Sequence, residues 1–204
     1  MIHHLFPSQI YYAKLSTTKN TQLQKDLLKE ALRISEIDIE GQDWCETNYP
    51  GGFTSYSSLC RLNQMSSTFL DLQKKIDKHV AKYIKAMEMD ISPKELTMTT
   101  CWVNIMPPGV THSMHIHPLS VISGTYYLQT PKNCSAIKFE DPRMVNFMAS
   151  PPRKSTAHRD NQRFVSFQAK EDHVVLFESW MRHEVPPNLA KEPRISISFN
   201  YDWI

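Results

Sequence analysis

The stretch EPRISISFNYDW, residues 192–203, decides how the rest of the chain is read. It has the composition of a strand, with aliphatic and aromatic residues alternating with small polar ones. One parity runs Arg194, Ser196, Ser198, Asn200; the other runs Ile195, Ile197, Phe199, Tyr201. On a sheet with one wet face the polar parity would meet water. In a roll whose outer face is covered by helices the assignment inverts. Ile195, Ile197 and Phe199 then pack beneath the helices, and Arg194 lines the interior. A guanidinium placed there needs an anion, because an unpaired buried charge is very costly. Its planar fork fits a carboxylate.

Upstream of this strand the chain supplies both parts of such an architecture. From residue 97 onward, short apolar and β-branched runs alternate with turn residues. They predict strands at 97–105, 113–117, 121–129, 135–139, 163–168, 174–177, 183–185 and 194–201. Eight strands are the complement of a double-stranded jelly roll. The first ninety residues are helical in pattern. Leu23, Leu27, Leu28, Ala31 and Leu32 share one stripe over 21–34, with Ser16, Thr17, Thr18 or Asn20 as candidate caps. Phe69, Leu72, Ile76, Val80, Tyr83, Ile84 and Met87 form a longer stripe over 66–87, with Lys74-Lys75 on its solvated face and His79 packed or exposed within it. A turn at 48–52 separates the two stripes. The expectation is an α+β protein of one domain, 1–204, in which 1–93 is mainly helical support on one sheet and 94–204 is the roll. Residues 141–162 read as a long loop, of the kind that tends to be a functional lid or disordered.

Bulk properties narrow the function classes. The 204-residue chain has a net charge of +2, and its Lys and Arg are scattered, so neither nucleic acid nor a membrane surface is an expected partner. Cys45, Cys60, Cys101 and Cys134 are widely spaced and read as free thiols of a reducing compartment. No apolar run approaches a membrane span, and the opening MIHHLFPSQIYY lacks the parts of a signal peptide. A soluble, cytoplasmic protein is expected, with a homodimer through the N-terminal helices as an open option.

Of the nine histidines, three crowd into HSMHIH, residues 112–117. Residues two apart on a strand share a face, so His115 and His117 can converge on one metal ion while His112 has the wrong parity for a regular strand. An isolated pair of this kind is more often a surface feature; a metal needs a third ligand. His183, in SWMRHEVPPN (179–188), stands between an apolar strand and a double proline and is the candidate.

The blocks HIHPLSVISGTYYLQTP (115–131), FEDPR (139–143), VVLFESWMRHEVPPN (174–188) and RISISFN (194–200) together resemble the 2-oxoglutarate/Fe(II) oxygenases. The match is to the branch that carries HxHP…SGxYY and SWxxHxVxPN…RISISF. The resemblance covers about 97–203, with LFP (5–7) and GGFTSY (51–56) also familial in appearance. It implies a double-stranded β-helix that holds Fe(II) and takes 2-oxoglutarate as co-substrate, hydroxylating a further substrate with release of succinate and CO2. Carried over, His115 and His183 are metal ligands, and Arg194 and Ser196 grip the far carboxylate of 2-oxoglutarate. Asn104 and Tyr127 (or Tyr126, since only one of the two faces inward) contact the co-substrate.

The chain departs from the family at position 117, where a carboxylate is usual. His117 can be the third ligand; Glu140 or Asp141 can take that place; or the site can hold another divalent ion without oxygenase chemistry. The alternative from a different class is a cupin-like protein that binds a divalent metal and a carboxylate without turnover. On the substrate side, Arg143 is the candidate to meet an acidic group, the 141–162 loop and residues 44–56 are the expected approach, and Trp180 is read as core packing beside His183.

Overall fold

The computed structural model describes residues 1–3, 5–16 and 22–204; the candidate caps Thr17, Thr18 and Asn20 lie outside the described residues. In chain order its elements are β1 (Tyr11–Lys14), α1 (Gln22–Ile37), α2 (Ile39–Asn48), β2 (Phe53–Thr54), α3 (Leu62–Met65), α4 (Ser67–Ala86) and β3 (Leu96–Met106). There follow β4 (His112–His115), β5 (Ile122–Gln129), β6 (Ile137–Glu140), β7 (Phe164–Phe167), β8 (His173–Glu178), β9 (His183–Val185) and β10 (Arg194–Trp203). The strands form two antiparallel sheets. The major sheet has the order β1-β8-β5-β10-β3-β2, and the minor sheet β4-β9-β6-β7. This is the double-stranded β-helix, with all eight expected roll strands present.

Strand parity divides the interior into two cores. On the outer face of the major sheet, Val103, Ile195, Ile197, Phe199 and Leu176 pack with Leu27 of α1 and Phe69, Leu72, Ile76 and Val80 of α4. On the inner face, Tyr127, Val175 and Phe177 meet Ile137 and Phe139 of the minor sheet. The alternation in β10 is therefore a record of helices outside and a pocket inside. The caps of the helices are local: the Asp38 carboxylate accepts from the Gly41 amide at the start of α2, and Ser66 Oγ accepts from the Thr68 amide at the start of α4.

Two edge strands add to the mainly helical N-terminal half: β1 pairs with β8 and β2 with β3 at the two edges of the major sheet. Two expectations are corrected. The strand expected at 113–117 ends at His115, and its pairing with β9 shifts register between His112 and His115; such an irregularity re-aims side chains and cancels the parity argument against His112. Trp180 is not core: it is 47% exposed, while Met181, 3% exposed, fills the interior after the turn that ends β8. The four cysteines are free. No helix among the described residues is long and apolar enough to cross a membrane.

Candidate functional site

Among the described residues one cluster of metal-ligating side chains comes together: His115, His117 and His183, with their ligand atoms all within 4.8 Å of one another. His115 closes β4 and sits opposite His183 of β9 in register; His117 lies just past the strand end. The Nδ1 atom of each ring sits against an oxygen: Ser113 O at 2.7 Å for His115, Met181 O at 2.9 Å for His183, and Asn200 Oδ1 at 2.8 Å for His117. A carbonyl oxygen only accepts, so Nδ1 carries the proton and Nε2 presents a lone pair. Desolvation favours the neutral form of all three rings, of which His183 is buried, His117 half-buried and His115 exposed. It is the main reason that the His117 pKa falls to about 4 and that those of His115 and His183 are also lowered.

The consequence is an arrangement that proton bookkeeping leaves incomplete. His117 Nε2 and His183 Nε2 face each other at 3.3 Å, two acceptors with no proton to share. Two imidazole nitrogens on one ion at about 2.0–2.1 Å would stand roughly 3–3.4 Å apart. The donor set fits a divalent transition metal, and imidazole suits iron, zinc, copper and nickel. Glu140 and Asp141 are engaged elsewhere: Glu140 pairs with Arg182 at 2.8 Å, and Asp141 takes the fork of Arg143 at 2.7 and 2.9 Å.

The pocket beside this cluster, about 470 Å3 including its open mouth, is lined in part by His112, Asn104, Trp102, Ser196, Ser198 and Arg194. Arg194 is 2% exposed. Its guanidinium lies 4.9 Å over the Tyr127 ring and reaches Ser196 Oγ at 3.4 Å, and no acidic side chain pairs with it among the described residues. Among the described residues nine buried side-chain polar atoms lack a hydrogen-bond partner, and five belong to this neighbourhood: Tyr49 Oη, Asn104 Oδ1, His112 Nε2, Tyr127 Oη and Arg194 Nε. Buried polar groups are normally satisfied. The donors among them, Tyr49 Oη, Tyr127 Oη and Arg194 Nε, gathered around one unpaired cation, fit a carboxylate-bearing ligand.

The structure thus gathers seven expected site residues, His115, His117, His183, Arg194, Ser196, Asn104 and Tyr127, and leaves Arg143 apart, exposed on a loop and bound to Asp141. Sequence reading missed Tyr49, His112, Trp102 and Asn200. Asn200 shares the interior parity of Arg194, and Trp102 that of Asn104, so strand alternation carried a signal for both. Trp102 lies 5.8 Å from the His117 ring, and Tyr56 packs edge-on against Trp102 at 5.0 Å.

The family model described as "Putative 2OG-Fe(II) oxygenase" matches residues 100–200, which holds every one of those seven residues. This chain belongs to the 2-oxoglutarate/Fe(II) oxygenase family. Solved structures similar to this chain include a prolyl-4-hydroxylase from Pseudomonas putida, at 13% identity and a TM-score of 0.63 over 96% of this chain and 93% of that one. HygX from Streptomyces hygroscopicus, solved with nickel and 2-oxoglutarate bound, aligns at 12% identity and 0.61 over 96% and 83%. Against an oxygenase-family oxidoreductase from Burkholderia pseudomallei, the chain spans only 56% of that protein's length, at 17% identity and a TM-score of 0.48. No curated protein matches the sequence.

Proposed function

We propose that His115, His117 and His183 hold Fe(II), that Arg194 receives the far carboxylate of 2-oxoglutarate, and that the oxygenase hydroxylates a substrate yet to be named. The observation that carries this reading is the convergence of three unprotonated Nε2 atoms beside a buried guanidinium with no acid partner. When bound, the metal, the co-substrate and dioxygen supply the oxidising chemistry, with succinate and CO2 as by-products.

The residues of the chain bind, orient and shield. The fork of Arg194 fixes the co-substrate end-on, with Ser196 adding a hydroxyl. Tyr127 supports the guanidinium from below, and its hydroxyl is available to donate to the ligand, while Asn104 lines the same pocket with its amide N–H2 held by Ser198 Oγ. Trp102 and Phe177 wall the histidines with apolar surface, which limits water at the reacting centre. The substrate would enter past the 141–162 loop and Tyr56. A single-domain chain working in the cytoplasm is the setting proposed for this activity.

The test is anaerobic titration of the Fe(II)-loaded protein with 2-oxoglutarate, watching the weak visible band of the chelate. The expected result is a band in the wild type, none in His183→Ala, and a shift to at least ~10-fold higher co-substrate in Arg194→Ala, on the scale of a lost charged hydrogen bond. Metal binding with no band at any concentration would sink the oxygenase reading and leave a cupin-like metal and carboxylate binder.

A further inference from the structure

We propose that Asn200 is a positioning residue for His117 and that, because no negative charge stands in or behind the ligand set, the metal and the 2-oxoacid bind this chain as a linked pair. The inference rests on the reading of the site given above and concerns how its charge is balanced.

His117 lies beyond the last paired residue of β4, so the strand ladder alone does not hold it. A closed circuit of hydrogen bonds does. The His117 backbone N–H donates to Ser179 O at 3.0 Å, and the ring Nδ1–H to Asn200 Oδ1 at 2.8 Å. The Ser123 hydroxyl donates to the same Asn200 oxygen at 2.8 Å and lies 2.7 Å from Ser179 Oγ. With the Ser123 proton committed to Asn200, the Ser179 hydroxyl must donate to Ser123. Every link is assigned. Asn200, Ser123 and Ser179 are all buried, and the amide oxygen uses both lone pairs. This circuit aims an unprotonated Nε2 at His183.

It is also uncharged. A metal-binding histidine often leans on a carboxylate that raises its basicity; here the three supports are Ser113 O, Met181 O and Asn200 Oδ1. Among the described residues no Asp or Glu lines the pocket. The acids beside the ligand strands in sequence are committed: Glu140 to Arg182, Asp141 to Arg143, and Glu184 to Lys138. A divalent ion together with Arg194 therefore brings three positive charges into a pocket whose protein groups supply no anion. 2-Oxoglutarate, a dianion at neutral pH, offers the missing negative charge at both ends. Each ligand then raises the affinity of the other by the same factor, as linkage requires.

The experiment measures Ni(II) binding by calorimetry with and without 2-oxoglutarate, on the wild type, Asn200→Leu, Asn200→Asp and His117→Asp, with circular dichroism as a fold control. The wild type should show at least ~10-fold coupling. Asn200→Leu should weaken Ni(II) binding by roughly 10–100-fold, the scale of a lost supporting partner. Asn200→Asp keeps the acceptor and adds charge, so Ni(II) alone should bind more tightly and the coupling factor should fall at least ~3-fold. His117→Asp, which places the charge on the metal itself, should lower the coupling in the same direction even if Asn200→Asp fails to fold. A coupling factor equal to that of the wild type in the folded aspartate variants, or unchanged Ni(II) affinity in folded Asn200→Leu, would overturn the proposal. Ni(II) binding that survives His183→Ala would overturn the site itself, a distinct result.

Discussion

Tyr49 caps the C-terminal end of α2, far in sequence from the histidine-rich segment, yet its ring stacks on His112 with centroids 4.3 Å apart. Its hydroxyl is buried without a partner, and burial raises its pKa while Arg194 acts in the opposite direction. A protonated phenol facing the neighbourhood of a guanidinium is a donor waiting for the same carboxylate. Tyr49→Phe keeps the stack and removes the donor. The expected outcome is a ~10-fold rise in the 2-oxoglutarate concentration needed to saturate the Ni(II) form, as for a hydrogen bond to a charged group, with the melting temperature unchanged or slightly higher. An unchanged titration would place the hydroxyl out of reach of the co-substrate. His115, His183 and Arg194 were legible in the sequence because each stands out against a strand pattern. Tyr49 and His112 were not. Tyr49 takes its place through the tight turn after α2, where any Cβ on Gly52 would strike its ring. His112 turns inward through a register shift that no periodicity announces.

At the scale of elements, β5 runs between β8 and β10 at the middle of the major sheet, and Gly124 is its narrowest point. A Cβ there would lie 2.6 Å from the Phe199 ring and 2.6 Å from the Val175 carbonyl oxygen, one of them backbone that cannot step aside. Gly124→Ala should destabilise the fold by about 1–3 kcal/mol, as overpacking does, read as a lower urea midpoint with an unchanged slope; an unchanged midpoint would show that the strands can part at no cost. The roll strands could be read from sequence because alternation is imposed on them by two different cores. The edge strands could not. β2 is two residues long, and β1 has no buried–exposed alternation along YYAK. α2 escaped for a related reason: it buries only Gly41 and Cys45, too little to leave an apolar stripe. What the sequence made visible was the part of the fold that packs on two sides.

Across the whole molecule, the helical layer is fastened to the major sheet by polar contacts as well as by the outer core. Two of these lie along α4, Tyr11 Oη with His79 Nδ1 at 2.8 Å and Tyr201 Oη to Asp77 at 2.5 Å, and a further bond from α4, Tyr83 Oη to Gln9 O at 2.9 Å, ties it to the segment just ahead of β1. His79 is 8% exposed. Burial lowers its pKa, and the Lys82 charge acts the same way, while Leu15 and Asp172 favour the charged form without reversing the shift. The native state therefore holds this imidazole neutral more strongly than the unfolded chain, whose histidine titrates near 6.5. Above that pH neither state binds the proton, and the contribution to stability is fully present. As pH falls through and below about 6.5 the unfolded chain takes up the proton first, and stability is lost. His112, His117 and His183 are held neutral as well, so the metal-free protein should lose stability steeply on acidification. His79→Gln isolates one part of that slope, because the pocket histidines contribute equally to both proteins. Urea unfolding at pH 7.5 and pH 5.0 should show a smaller loss for the variant than for the wild type. Equal losses would mean that α4 lifts from β1 to let His79 charge without unfolding the rest, and that the helical layer is not one cooperative unit with the roll.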